Sequence, residues 1–343
     1  MMARKTFRAM WAVVAAAGVL ALSGCGPAPS PTSGPTGNSP APSGTSGAPA
    51  KKIRIGVSIP AADHGWTAGV VWWAKETQKL YPDIEWTLAT ADSPDKQIKD
   101  LETMMVKGLD GVVVLATESA PLTPIAKQIH ERKILLVNVD RGFLEPVADI
   151  FIEGDNAAFG RKSAEFVAQR LGGKGKVVVL EGIPSTVNTD RVNAALEVFK
   201  LNPGIEILDR QSGMWNKQKS LDVMQTMLLK HKQIDAVWAQ DDDMALGVEQ
   251  AIKEANRTDI KWILGGAGMK DIIKRVMDGD PMFPGNITYP PSMIALGMQT
   301  AVSVLRDGNR EAILKFQPRH LKIDVDVVTK ENAAQYYFPD SVY

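Results

Sequence analysis

The sequence predicts an α/β protein in which a doubly wound, parallel sheet is built twice, and three observations carry that expectation. From Lys51 onward short apolar runs alternate with longer segments of helical period. The starts of the apolar runs recur at about thirty residues, the size of a strand-helix-strand unit. The residues that follow the runs are rich in Asp, Arg, Trp and Asn while the run interiors are apolar, which suits strands buried on both faces with a polar edge.

In chain order the expected strands are IRIGVSI from Ile53, IEWTLA from Ile84, GVVVL from Gly111, ILLVNV from Ile134 and IFIE from Ile150. A second series follows with KVVVL from Lys176, IEIL from Ile205, AVWA from Ala236 and WIL from Trp262. Between them, Gly69 to Tyr81 places Val70, Trp73, Ala74 and Thr77 on one helical face. Another helix starts with Ser93 as N-cap and Pro94 in its first turn. Ligands of open parallel sheets bind outside the carboxyl ends of the strands. The loops there read DHGW, TES, DRG, STVNTDR, MW and QDDDM.

Ahead of the folded part, residues 1–24 divide into a basic stretch (Arg4, Lys5, Arg8), an apolar stretch and small residues before Cys25, the pattern of an export signal. The LSGC ending resembles the lipobox of bacterial lipoproteins, which implies that Cys25 carries lipid. Residues 25–50 are almost entirely Pro, Gly, Ser, Thr and Ala and read as a disordered tether that cannot bury enough apolar area to fold. The expected location is therefore extracytoplasmic, held by lipid at the outer face of the cell membrane.

Composition narrows the function. Thirty-nine basic residues balance thirty-nine acidic ones, so neither nucleic acid nor an anionic surface is favoured as a partner. A single cysteine excludes an internal disulfide and a Cys-rich zinc site. The four histidines, at 64, 130, 231 and 320, have no metal-ligand spacing. GGKGK at 172–176 lacks the GxxxxGK[ST] frame and precedes a strand, so it reads as a turn, and neither GxSxG nor a GxGxxG after the first strand is present. Asp241, Asp242 and Asp243 open a helix, where acids cap and complement the dipole. The expectation is a protein without enzymatic activity, metal or cofactor. What remains is a chemistry for neutral, hydroxyl-bearing ligands: carboxylates accept from hydroxyls, guanidinium groups donate to them, and indole faces cover C–H surfaces.

AVWAQDDDMALGVEQAI at 236–252, LLVNVDR at 135–141 and LDVMQTML at 221–228 together resemble the ribose-binding-protein-like periplasmic solute-binding proteins, the sugar receptors of ABC importers. The resemblance covers 51 to about 328 and implies the type I periplasmic-binding-protein fold, two lobes joined by a three-strand hinge. It places the N-terminal lobe at 51–154 with 290–320 and the C-terminal lobe at 155–289 with 321–343. Crossovers fall near 153–156, 286–289 and 321–325.

The resemblance also implies ligand-binding residues. His64 and Trp66 stand at a polar contact and a stacking aromatic, and Asp140 with Arg141 at the first lobe's ionic pair. Arg191 stands at the second lobe's arginine, with Asp190 or Asn188 as alternatives for that place. Trp215 stands at the second stacking aromatic, and Asp241 where the family uses an amide, with plain helix capping as its alternative. Thr117 and Glu118 lie beside Leu115, which occupies a polar position of the family. Thr288 beside Tyr289 takes the place of a hinge glutamine, and Ala267 that of an aspartate. Fewer acceptors and two tryptophans imply a monosaccharide other than ribose, or a sugar alcohol. The expected partners are that small neutral ligand, the transmembrane subunits of an ABC permease and, through the anchor, the membrane. A receptor that presents its ligand-bound form to a membrane sensor is the alternative function.

Overall fold

The computed structural model describes residues 52–62, 65–306, 308 and 310–343; Cys25, the signal and tether stretches and His64 lie outside them. The first half runs β1 (Arg54–Pro60), α1 (Gly65–Leu80), β2 (Glu85–Ala91), α2 (Pro94–Lys107), β3 (Gly111–Val114), α3 (Ser119–Glu131), β4 (Leu135–Val139) and β5 (Ile150–Gly154). The second runs α4 (Asn156–Arg170), β6 (Gly175–Glu181), α5 (Thr186–Lys200), β7 (Ile205–Ser212), α6 (Lys217–Lys230), β8 (Ala236–Ala239), α7 (Asp242–Glu254), β9 (Trp262–Leu264), α8 (Lys270–Asp278) and β10 (Asn286–Ile287). The chain ends with α9 (Met293–Arg306), α10 (Arg310–Phe316), β11 (His320–Ile323) and β12 (Val327–Val328).

All nine strands expected from the apolar runs are present, eight of them within a residue or two at their ends, while β7 continues to Ser212, four residues past the IEIL run. β1 to β5 with β11 make one parallel sheet of order β11-β5-β4-β3-β1-β2, and β6 to β9 make another of order β7-β6-β8-β9. Each sheet reverses direction at its centre, β1 beside β3 and β6 beside β8, so the doubly wound pattern occurs twice. The central runs are the most continuous because both sheet faces are covered there, whereas the edge strands β2 and β7 admit Glu85 and Glu206. In β3, Val113 joins one apolar cluster while Val112 and Val114 join another, formed with Leu101 of α2 and Leu122 of α3.

Two further boundaries differ from the sequence expectation. α1 starts at Gly65 rather than Gly69, so Gly65 and Trp66 belong to its first turn. β11 pairs with β5 from His320↔Phe151 to Ile323↔Gly154, so the third crossover follows Ile323 instead of starting at Leu321. Leu321 and Ile323 pack on the first sheet's core, and that burial keeps the strand there. β10 and β12 form a short antiparallel pair beside the second sheet. Ser93 caps α2 as expected, accepting from the Lys96 N–H.

Among the described residues no helix is long and apolar enough to cross a membrane.

Candidate functional site

The carboxyl ends of the two sheets' strands converge on one small cavity, lined by Trp66, Asp140, Arg141, Val187, Arg191, Trp215, Asp241, Ala267 and Tyr289. Each comes from a strand-end segment or the first two turns of a helix. Trp66 lies in α1, Asp140 and Arg141 follow β4, Val187 and Arg191 lie in α5, Trp215 follows β7, Asp241 follows β8, Ala267 follows β9 and Tyr289 follows β10. The two lobes meet at the lips of this cleft. Gly65 N–H donates to Asp243 Oδ2 (3.0 Å), Gly142 N–H to Thr186 Oγ1 (2.9 Å) and Thr186 N–H to Ser119 Oγ (3.2 Å).

The walls are held by bonds that leave little freedom. Trp66 donates its indole N–H to the Tyr289 carbonyl (2.9 Å), and the two rings tilt together at 6.0 Å. Tyr289 donates its hydroxyl to Asp140 Oδ1 at 2.6 Å. Arg141 donates to the carbonyls of Ala116 (3.1 Å) and Thr117 (2.8 Å), and its guanidinium sits 5.0 Å above the Trp215 ring. Arg191 donates to Asn156 Oδ1 and the Gln240 carbonyl, both at 3.0 Å, and lies against Phe159 (3.8 Å) and Tyr289 (4.4 Å). Arg191 is 3% exposed and Asp140 2%, so their charges act in a medium of low dielectric, where each hydrogen bond counts for more.

Three lining residues that are not glycine have left-handed backbones: Asp140 (φ 65°), Trp215 (φ 50°) and Ala267 (φ 84°). Such conformations cost about 1–3 kcal/mol each and persist where surrounding structure holds them, commonly at binding sites. Trp215 also depends on Gly182. A methyl group there would overlap the indole, so Gly182→Ala is expected to displace the ring, weaken ligand binding about tenfold or more and shift the tryptophan emission. Calorimetric titration of a bound ligand checks the first effect.

The three consecutive aspartates have separate tasks. Asp241 lines the cavity and also caps α7, its Oδ1 accepting from Met244 N–H at 2.9 Å, so the binding and capping readings are compatible. Asp242 accepts from Gly266 N–H (2.9 Å), Met269 N–H (2.8 Å) and Asn286 Nδ2 (2.7 Å), which ties α7 to the β9–α8 loop and to β10. Asp243 reaches the other lobe. Burial raises Asp241 well above the usual carboxylate range, with Asp243 next in effect, and pushes Asp242 up to about 7. Burial likewise lowers the Arg191 guanidinium and raises the Tyr289 phenol, the latter with help from Asp140.

Seven of the expected ligand-binding residues therefore share the cavity: Trp66, Asp140, Arg141, Arg191, Trp215, Asp241 and Tyr289. The others occupy different places. Thr117 gives its N–H to Gln97 Oε1 and its carbonyl to Arg141, so it braces the arginine from behind. Glu118 precedes α3 as its N-cap residue without a side-chain capping bond. Asn188 faces its own loop, accepting from Gly182 N–H (2.9 Å) and donating to Glu181 (3.3 Å). Thr288 accepts from Asp326 N–H (2.8 Å) and lines a separate groove behind the hinge. Of the alternatives at the second lobe's arginine, Arg191 is the one in the cavity, and Asp190 is exposed. Leu115 is fully buried in the core. Val187 was not singled out from sequence, although it stands four residues before Arg191 and thus on the same helical face. The lip residues Ser119, Thr186 and Asp243 sit inside flagged loops but carry no signal that separates them from their neighbours.

Comparison with known proteins agrees with this geometry. The chain is 29% identical over 243 residues to the ribose import binding protein of Haemophilus influenzae, covering 68% of this chain and 80% of that one. It is 29% identical over 200 residues to a xylitol-binding protein of Mycolicibacterium smegmatis, covering 58% and 57%. Among solved structures, the fructose-binding periplasmic domain of a hybrid two-component system superposes with a TM-score of 0.75 at 27% identity, covering 82% of this chain and 92% of that one. A family model described as periplasmic binding protein domain matches residues 55–309. That match spans most of the chain, and the chain belongs to the periplasmic binding protein domain family.

Proposed function

We propose that this chain is an extracytoplasmic receptor that closes over a monosaccharide or sugar alcohol and delivers it to the permease of an ABC importer, tethered to the membrane by lipid on Cys25. The observation that carries the ligand class is the makeup of the cavity wall. Two indole rings and a phenol supply stacking faces, and two carboxylates stand with two guanidinium groups. Groups of both kinds stand together, and between them they accept from and donate to the hydroxyls of an uncharged guest. The relatives named for ribose and xylitol support the same class, and the anchor rests on the LSGC stretch.

A second reading has one observation in its favour: the solved neighbour named above is part of a two-component system. In that reading the closed receptor docks on a membrane sensor instead of a permease. Co-purification from membranes distinguishes them, through the identity of the captured partner.

The test of the ligand class is a thermal-shift screen of the purified folded region over pentoses, hexoses, tetritols, pentitols and inositols. A melting-temperature rise with at least one of these, saturating at millimolar concentration or below, is the expected result. A protein that ignores all of them but is stabilised by an amino acid or peptide ends this reading.

A further inference from the structure

We infer that Glu153 and Asn156 form a positioning relay across the first crossover, which aims the Arg191 guanidinium into the ligand cavity; the inference rests on the sugar-receptor reading above. Glu153 closes β5 in the first lobe, and Asn156 opens α4 in the second. Arg191 Nε donates to Asn156 Oδ1 at 3.0 Å. The Nδ2 of the same amide donates back across the crossover, to the Gly154 carbonyl (3.1 Å) and Glu153 Oε2 (3.4 Å). The other carboxylate oxygen of Glu153 meets His320 Nε2 at 2.7 Å and Lys322 Nζ at 3.6 Å, both on β11. His320 stacks on Phe151 with ring centroids 4.8 Å apart, which fixes the outer end of the chain of bonds.

The relay is buried where it matters. Glu153 is 4% exposed, and Asn156 2%, so water does not readily replace either partner. Burial raises the Glu153 carboxyl while His320 and Lys322 oppose that rise, and Asp190 adds a smaller upward push. A carboxylate kept in so dry a place needs a task that an apolar residue could not perform. The task is visible in the amide. Asn156 presents its oxygen to Arg191 and its nitrogen to Glu153 and the Gly154 carbonyl, and the guanidinium on one side with the two acceptors on the other specify that orientation. With Nε on Asn156 and another nitrogen on the Gln240 carbonyl, the planar guanidinium is held at two points and cannot swing. Glu153 and Asn156 do not line the cavity; they act through Arg191, and they link its aim to the crossover angle.

An exchange of the two groups tests this. Asn156→Asp keeps an acceptor for Arg191 but turns a carboxylate oxygen toward Glu153. Adding Glu153→Gln returns an N–H donor to that contact with the roles reversed. The readout is calorimetric affinity for the sugar giving the largest melting shift in the screen. Asn156→Asp alone is expected to weaken binding about tenfold, as a misplaced charged hydrogen bond does, and the double variant to recover most of the loss. A double-mutant cycle between Asn156→Ala and Arg191→Lys provides a second measurement should the buried carboxylate pair unfold the single variant: strongly coupled losses support the relay, and additive losses overturn it. A folded Asn156→Asp variant that binds like wild type overturns it too, as does a double variant no tighter than Asn156→Asp. Failure of the wild type to bind any sugar is a different result, which removes the receptor reading and the relay with it.

Discussion

Arg191→Ala is expected to abolish most of the melting-temperature rise that a cleft ligand produces, with little change in the unliganded melting temperature. A hydrogen bond from a charged donor in a buried site contributes about 1.5–3 kcal/mol, or about ten- to 150-fold in affinity. At a ligand concentration a hundred times the wild-type dissociation constant, the ligand stabilises the protein by about 2.7 kcal/mol, and a hundredfold loss of affinity reduces that to about 0.4 kcal/mol. The unliganded protein changes less because two effects oppose each other. The substitution strands Asn156 Oδ1 and the Gln240 carbonyl, and it also removes a cation whose burial is itself unfavourable, as its lowered proton affinity records. Asp140→Asn offers a parallel case: the Tyr289 hydroxyl keeps an acceptor, while the charge facing the ligand and the ion pair to Arg141 (3.7 Å) are lost. Ligand-induced shifts that survive intact in both variants would remove Arg191 and Asp140 from the binding surface.

Why the strands were legible, and four expected contacts misplaced, follows from what a sequence encodes. Covering both faces of a parallel sheet demands uninterrupted apolar runs, and each of the nine runs appears as a strand. The carboxyl-end rule then located the loops, which is why Trp66, Asp140, Arg141, Trp215 and Asp241 were found. Direction within a loop is another matter. Asn188 and Arg191 are three residues apart in one helical turn, yet Asn188 turns back to cap its own loop while Arg191 and Val187 face the cleft. Thr117 spends its backbone N–H and carbonyl, and Thr288 its hydroxyl, on the scaffold beside cavity residues. β10 and β12, two residues each, are too short for any periodicity, and their pairing is a consequence of the crossovers. The relay through Glu153 and Asn156 joins residues of three elements, and no local pattern announces it.

The unliganded protein is expected to melt at a higher temperature as pH falls from 8 to 5, then at a lower one toward pH 2. Asp242 drives the first limb. Burial pushes its carboxyl up to about 7 from the usual 3.8, so the folded protein takes up this proton before the unfolded chain does. Its contribution is then fully present below the unfolded value and lost as pH rises through about 7. Asp241 moves in the same direction for the same reason. A gap of about three pKa units corresponds to about 4 kcal/mol, which is what burial leaves after the N–H groups of Gly266, Met269 and Asn286 have favoured the ionised form. The second limb has the opposite sign. Glu249 and Asp259 are held down to about 2 by Arg275 and Arg257, so their contributions exist above the ordinary carboxylate range and vanish as pH falls toward 2. Asp242→Asn separates the two limbs. It keeps an acceptor for the lobe's loop bonds and removes the titration, so the fall in melting temperature between pH 5 and 8 should flatten while the acid limb remains. An unchanged alkaline slope in that variant would mean that Asp242 is already ionised in the folded protein at pH 5, and that its three donors outweigh its burial.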